Sequence, residues 1–207
     1  MLTTGNTSLD NHFTYCDSIN CIYGKAATGK TNLCLLLASK MAKDKKVFYI
    51  DTEGSFSPER VKQFESEEVL QNIFVIKASS FEEQCKAVED LLMLKDMIDL
   101  IIVDSLSMHY RQEMQDKNDN ANSKLSRQLS ILSEMTRSNI PVIITSQVYS
   151  TMSNGINPVG GNMLKNWSKC LIKLEFERKR TLTIEKHPEL PEKTVPFEIK
   201  KDTILPV

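Results

Sequence analysis

The chain is poor in several things, and each shortage narrows what it can be. Glycine and proline number only seven each among 207 residues, too few for a low-complexity or disordered chain. No apolar run approaches the roughly 18 residues that a membrane-spanning helix needs. The opening MLTTGNTSLDNHF has no basic start followed by an apolar block, so no secretory signal is expected and the chain reads as cytoplasmic. Cysteine is odd in number, five, with no CxxC pair. That argues against a disulfide framework or a zinc site, and for reduced thiols buried as small apolar groups. Neither sign of charge is in excess. The 26 Lys and Arg against 27 Asp and Glu leave −1, which excludes a protein that coats nucleic acid by bulk positive charge. A local basic face is still allowed.

What is present is an alternation. Apolar, β-branched runs at 19–23, 47–51, 72–76, 100–104 and 142–146 predict strands. The segments 31–43, 57–67, 80–96 and 122–138 between them predict helices. Leu125, Leu129, Leu132 and Met135 recur at the spacing of one helix face. Ser57-Pro58-Glu59 is a helix start: a capping hydroxyl, a proline in the first turn and an acid near the positive helix end. Continuously apolar strands separated by helices predict an α/β fold, a mainly parallel twisted sheet flanked by helices on both faces. In the last third, strands at 170–176, 181–186 and 196–200 follow one another without helices, predicting an antiparallel C-terminal β extension at one sheet edge. Two segments, EMQDKNDNANSK at 113–124 and STMSNGINPVGGN at 150–162, read as loops. The length suits a single domain over 1–207.

The strongest chemical signal is Gly24-Lys25-Ala26-Ala27-Thr28-Gly29-Lys30-Thr31. It matches the P-loop GxxxxGK[ST] and has a predicted strand before it and a predicted helix after it. Gly24 and Gly29 are expected to let the loop curl, so that successive amides point at phosphate oxygens. The following helix adds its positive end. Lys30 would reach the β and γ phosphates of ATP, and the Thr31 hydroxyl would ligate Mg²⁺. Asp104, closing the buried run LIIVD, is the expected second Mg²⁺ group, acting through water. Glu53 follows the strand at 47–51 and is a candidate general base, since carboxylates at the C-terminal ends of parallel strands point into the ligand crevice. Gln147 stands at the same rim, after the strand at 142–146.

These elements occur in an order that resembles the RecA/RadA recombinase family. YIDTEGSFSPERV at 49–61 is similar to that family's YIDTEG-FxPER segment, and VIITSQV at 142–148 to its strand ending in Asn-Gln. LTTGNTSLDNHF at 2–13 and PVGGNMLKNWSKCLIKLE at 158–175 resemble its opening line and the close of its second DNA loop. The similarity runs from Leu2 to Val207 and is greatest to the family's short archaeal paralogues. It implies a RecA-type P-loop ATPase core without the family's N-terminal helix-hairpin-helix domain. It implies Glu53 as catalytic glutamate and Gln147 as γ-phosphate sensor. It places Tyr110-Arg111 at the first DNA loop and 150–162 at the second. Lys186 falls where RecA-like filaments place groups that reach a neighbour's nucleotide, so a trans-acting role is a candidate; a lysine on an exposed strand is the simpler account.

DNA contact is expected to be local. Residues 165–201 carry ten Lys or Arg against six Glu, a surplus within a chain of −1. The first loop is not basic, and the second has no charge between Ser150 and Asn162. Arg111, Arg127, Gly160 and Gly161 are the candidate DNA-binding residues, with Trp167 as a stacking candidate that more commonly belongs to a core. The function expected is an ATP-binding accessory of DNA repair and recombination. It would bind single-stranded DNA weakly, turn over ATP slowly, act beside a main recombinase or a repair nuclease or polymerase, and self-associate. The alternative is a KaiC-like regulatory ATPase with protein clients; the Asp51-Thr52-Glu53-Gly54 segment favours the recombinase side.

Overall fold

The computed structural model describes residues 2–116, 120–150 and 156–207. Along the chain run α1 (Thr7–Asp10), β1 (Ile19–Gly24), α2 (Lys30–Met41), β2 (Val47–Asp51), α3 (Pro58–Phe64), β3 (Ile73–Lys77), α4 (Phe81–Leu94), β4 (Leu100–Asp104) and α5 (Met108–Gln115). There follow α6 (Ala121–Arg137), β5 (Val142–Ser146), β6 (Val148–Ser150), β7 (Ile156–Pro158), α7 (Gly161–Trp167), β8 (Cys170–Phe176), β9 (Arg180–Lys186), β10 (Lys193–Ile199) and β11 (Ile204–Pro206). Nine strands form one sheet in the order β11-β10-β9-β8-β1-β5-β4-β2-β3. From β3 to β8 every pairing is parallel. From β8 to β11 every pairing is antiparallel, which is the expected C-terminal extension.

The central strands are buried along their whole length because both faces are covered. One core gathers Leu33, Leu36, Tyr49, Val61, Ile102 and Phe197 beneath α2 and α3. The other gathers Ile50, Phe81, Val103, Leu125, Leu129 and Leu132 beneath α4 and α6. Successive strand residues alternate between the two, as the two-residue side-chain period requires. Helix starts follow local chemistry. The Ser57 hydroxyl accepts the Arg60 amide at 3.1 Å to open α3, and the Ser80 hydroxyl accepts the Glu83 amide at 3.1 Å to open α4. The beginning of β1 is pinned by buried Asn20. Its side chain accepts the Cys16 amide at 2.9 Å and donates to the carbonyls of Cys16 and Ser18, each at 2.9 Å, and of Val142 at 3.2 Å.

Two sequence expectations are corrected. The segment 113–124 is largely helical where described: its start continues α5 and Ala121 opens α6, with 117–119 outside the described residues. Its polar composition reflects the solvent faces of two helices. The segment 150–162 contributes the end of β6, all of β7 and the start of α7, with 151–155 outside the described residues. The antiparallel β6–β7 pair is two strands of three residues each, too short for periodicity to register. Trp167 is half-buried against the α4–α6 core.

Candidate nucleotide site

β1, β2, β4 and β5 are parallel, so their C-terminal ends share one rim of the sheet. Each delivers part of the site there. β1 runs into the P-loop, which turns through positive φ at Ala27 (62°) and Gly29 (112°) before α2 begins. Gly29 needs its glycine for its backbone, since its φ lies in the left-handed region; a Cβ on it would also stand 2.9 Å from Ile199 Cδ1 of β10, the movable end of a side chain. Gly24 has no positive φ, so the expected curling role does not apply to it. A Cβ there would lie 2.3 Å from the Leu174 carbonyl oxygen on β8, and close strand approach is what excludes a side chain. Thr28, one of the motif's variable positions, is buried, and its hydroxyl donates to the Lys25 carbonyl at 2.9 Å, cross-bracing the loop.

The Lys30 ammonium folds back onto the loop, donating to the Gly24 and Lys25 carbonyls at 2.9 and 3.0 Å. Burial lowers its pKa, while Glu53 and Asp104 pull in the opposite direction. The Thr31 hydroxyl donates to Asp104 Oδ2 at 2.8 Å. Asp104 is a hub. Its Oδ2 also accepts from Tyr49 Oη at 2.8 Å and from Ser55 Oγ at 3.4 Å, and its Oδ1 accepts from Thr145 Oγ1. Burial and then the charge of Asp104 push the Tyr49 hydroxyl's pKa well up, so it stays a donor. Asp51 is turned away from this hub and accepts the Ser55 and Phe56 amides at 3.0 and 3.1 Å, fixing the bend that carries Glu53.

Glu53 Oε1 accepts from Ser105 Oγ at 2.7 Å and from Gln147 Nε2 at 3.0 Å. The Gln147 amide nitrogen donates to Ser107 Oγ at 2.9 Å, and its side-chain oxygen faces Arg111 Nη1 at 3.5 Å. Gly24, Lys25, Ala26, Lys30, Glu53, Arg111, Gln147 and Val148 line one cavity of about 260 Å³. The donor set suits ATP with Mg²⁺. Thr31 and Asp104 present hard oxygens to one point, beside a cation that donates to the loop carbonyls of Gly24 and Lys25. No cluster of three or more His, Cys, Asp or Glu exists among the described residues. Mg²⁺ characteristically takes one or two protein oxygens plus phosphates and waters, and needs no such cage.

The remaining sequence candidates sit elsewhere. Arg127 lies on α6 and pairs with Glu89 of α4 (Nε to Oε1, 2.6 Å), both exposed. Gly160 and Gly161 open α7 with φ of 96° and 51°. Lys186 donates within its own chain, to the Lys165 and Ser168 carbonyls at 3.1 and 2.7 Å, capping the C-terminal end of α7. Arg111, assigned to a DNA loop from sequence, lines the nucleotide cavity. Sequence reading missed Tyr49, Ser105, Ser107 and Thr145 as site residues; Tyr49, Ser105 and Thr145 lie within two residues of Asp51, Asp104 and Gln147, and Ser107 carries no such signal.

A P-loop between β1 and α2, with acidic groups after two neighbouring parallel strands and a polar amide after a third, defines a RecA-type P-loop ATPase core. The Rad51 family profile matches residues 1–206, and the chain belongs to the Rad51 family. Among its relatives, a Methanococcus maripaludis protein named DNA repair and recombination protein RadB is 44% identical over 180 residues, covering 82% of each chain. The Methanocaldococcus jannaschii protein of that name is 38% identical over 187 residues, covering 86% of this chain and 88% of its own. The crystal structure of the RadB recombinase superposes with a TM-score of 0.87 at 32% identity, covering both chains fully.

Proposed function

We propose that the chain is an ATP- and Mg²⁺-binding accessory protein of DNA repair and homologous recombination. In this reading 1–207 act as one RecA-like unit that turns ATP over slowly and binds single-stranded DNA weakly, without sequence preference. The observation that carries it is the convergence of Lys30, Thr31, Asp104, Glu53 and Gln147 at one sheet rim.

In this reading the P-loop amides and Lys30 hold the phosphates, while the Thr31 hydroxyl would ligate the metal and Asp104 would hold it through water. Bound Mg²⁺ neutralises charge on the transferring phosphoryl oxygens. Glu53 acts on water through Oε2, since Oε1 is engaged by Ser105 and Gln147. Gln147 touches the γ phosphate and carries its presence to β6, directly after it. Weak DNA contact is supported by the Arg127–Glu89 pair, by the commitment of Lys186 to α7, and by the uncharged stretch 150–162. The names of the relatives support the recombination setting, and membership of the Rad51 family supports this reading over the KaiC-like one.

The test is ATP hydrolysis by the purified chain with and without single-stranded DNA, beside filter retention of labelled DNA across a salt series. The expected result is slow turnover that Glu53→Gln abolishes without loss of ATP binding. The DNA association constant should fall with salt, with a log–log slope of about −0.7 per phosphate neutralised on single-stranded DNA. Vigorous DNA-stimulated hydrolysis with filaments would make the chain a full recombinase. No retention at any salt would move it to protein clients.

A further inference from the structure

Arg111 stands on a helix fixed from behind. In α5, buried Tyr110 donates to Asn122 Oδ1 at 2.7 Å, and buried His109 bonds the Ala78 carbonyl at 2.9 Å and Gln112 Oε1 at 3.1 Å. At the front, Ser107 meets the Gln147 amide, and Arg111, one helical turn later, donates its own amide to the Ser107 carbonyl at 3.0 Å. Residues four apart share a helix face, so Arg111 and Ser107 both point to the sheet rim. The guanidinium is exposed into the same cavity as Lys25, Lys30, Glu53 and Gln147.

The charge of that cavity is lopsided: three cations face one carboxylate. Gln147 is a neutral spacer between the two signs, with Nε2 toward Glu53 and Oε1 toward Arg111. At 3.5 Å the contact between Arg111 and Gln147 is loose, which leaves the fork of guanidinium donors able to take a better acceptor. A terminal phosphate is that acceptor: a planar, always-charged guanidinium matches its oxygens two at a time.

We infer that Arg111 contacts the γ phosphate of the nucleotide bound to its own chain, and so discriminates a nucleoside triphosphate from a diphosphate. The inference rests on the P-loop being an ATP site. It makes α5, whose C-terminal end leads toward the segment 116–120, the element that feels the terminal phosphate. A diphosphate is held by the P-loop amides and Lys30 and ends short of Arg111, so the guanidinium matters to the triphosphate alone.

The experiment measures the dissociation constants of Mg²⁺–ADP and of the non-hydrolysable Mg²⁺–AMPPNP by calorimetry, for the unaltered chain, Arg111→Ala and Lys30→Ala, without DNA. Loss of one charge-assisted contact should weaken AMPPNP about tenfold or more and leave ADP within about twofold in Arg111→Ala. Lys30→Ala marks general loss, weakening both. If Arg111→Ala weakens both nucleotides equally, or changes neither, Arg111 does not read the γ phosphate. If the unaltered chain binds neither nucleotide, the ATP-site reading itself falls and takes this inference with it.

Discussion

Replacing Gly24 with alanine would put a methyl group where a neighbouring main chain already stands. An ideal Cβ at that position lies 2.3 Å from the Leu174 carbonyl oxygen, 3.2 Å from its carbon and 3.0 Å from Thr28 Oγ1. Gly24 and Leu174 are register partners in the parallel β1–β8 ladder, at the last residue of β1. Carbon–oxygen contacts between adjacent strands run near 3.3 Å or longer. The two strands must therefore part by close to 1 Å, just where the P-loop leaves the sheet. No rotamer change relieves this, because the obstacle is a peptide carbonyl. Overpacking costs about 1–3 kcal/mol, and a main-chain obstacle puts Gly24→Ala near the upper end, about 3 kcal/mol. The backbone torsion adds nothing, since φ at Gly24 is not positive. At about 2–4 °C per kcal/mol for a chain of this size, Tm should fall by roughly 6–12 °C. Thermal unfolding followed by circular dichroism reads this directly. Adding Thr28→Ala removes the hydroxyl but not the Leu174 carbonyl, so the double variant should gain nothing back. A Gly24→Ala chain that melts with the unaltered protein, or one rescued by Thr28→Ala, would refute close strand approach as the reason for this glycine.

Three further outcomes are expected. Asn20→Ala strands the buried Cys16 amide and removes three donor contacts to carbonyls, so urea unfolding should show a loss of about 3 kcal/mol; a loss below about 1 kcal/mol would mean that water replaces the side chain. Lys30 has a lowered pKa in the fold because of burial, and its charged form is the one that binds phosphate. ADP affinity should therefore decline as pH rises, beginning below the range near 10.5 where an ordinary lysine titrates, and calorimetry against pH should show no such decline in Lys30→Ala. For the folded chain without nucleotide the sign is opposite: a lowered lysine pKa is a cost in stability at low pH that vanishes as pH rises through the unfolded value. Burial raises the pKa of the Cys85 thiol and pushes that of Cys21 further, up to about 12, and of the five thiols Cys85 alone is only half-buried. Maleimide labelling of the native chain near pH 8, read by mass spectrometry, should therefore mark Cys85 first.

Much of the fold was legible because burial on two faces writes itself into sequence. The runs at 47–51, 100–104 and 142–146 coincide with β2, β4 and β5, which are buried at every position and so carry near-continuous apolar runs, while 170–176 coincides with β8, whose Lys173 and Glu175 alternate with buried apolar residues. The segments at 113–124 and 150–162 misled for the converse reason. A helix or short strand with much of its surface toward water carries little apolar pattern, so α5 and the β6–β7 pair read as loops.

The P-loop with its flanking strand and helix was legible in the sequence alone, because phosphate binding by a curled backbone demands particular residues at fixed local spacing, and Glu53 and Asp104 were legible as candidates because each stands at or just after the end of an apolar strand run. Only the tertiary structure decided which distant side chains meet them. Tyr49 and Thr145 converge on Asp104, Ser105 and Gln147 converge on Glu53, and Arg111 of α5 lines the same cavity. Even Gly24 owes its lack of a side chain to Leu174, 150 residues away. Spacing along the chain records local backbone geometry; contacts between strands set side by side are recorded only in the sheet order that brings them together.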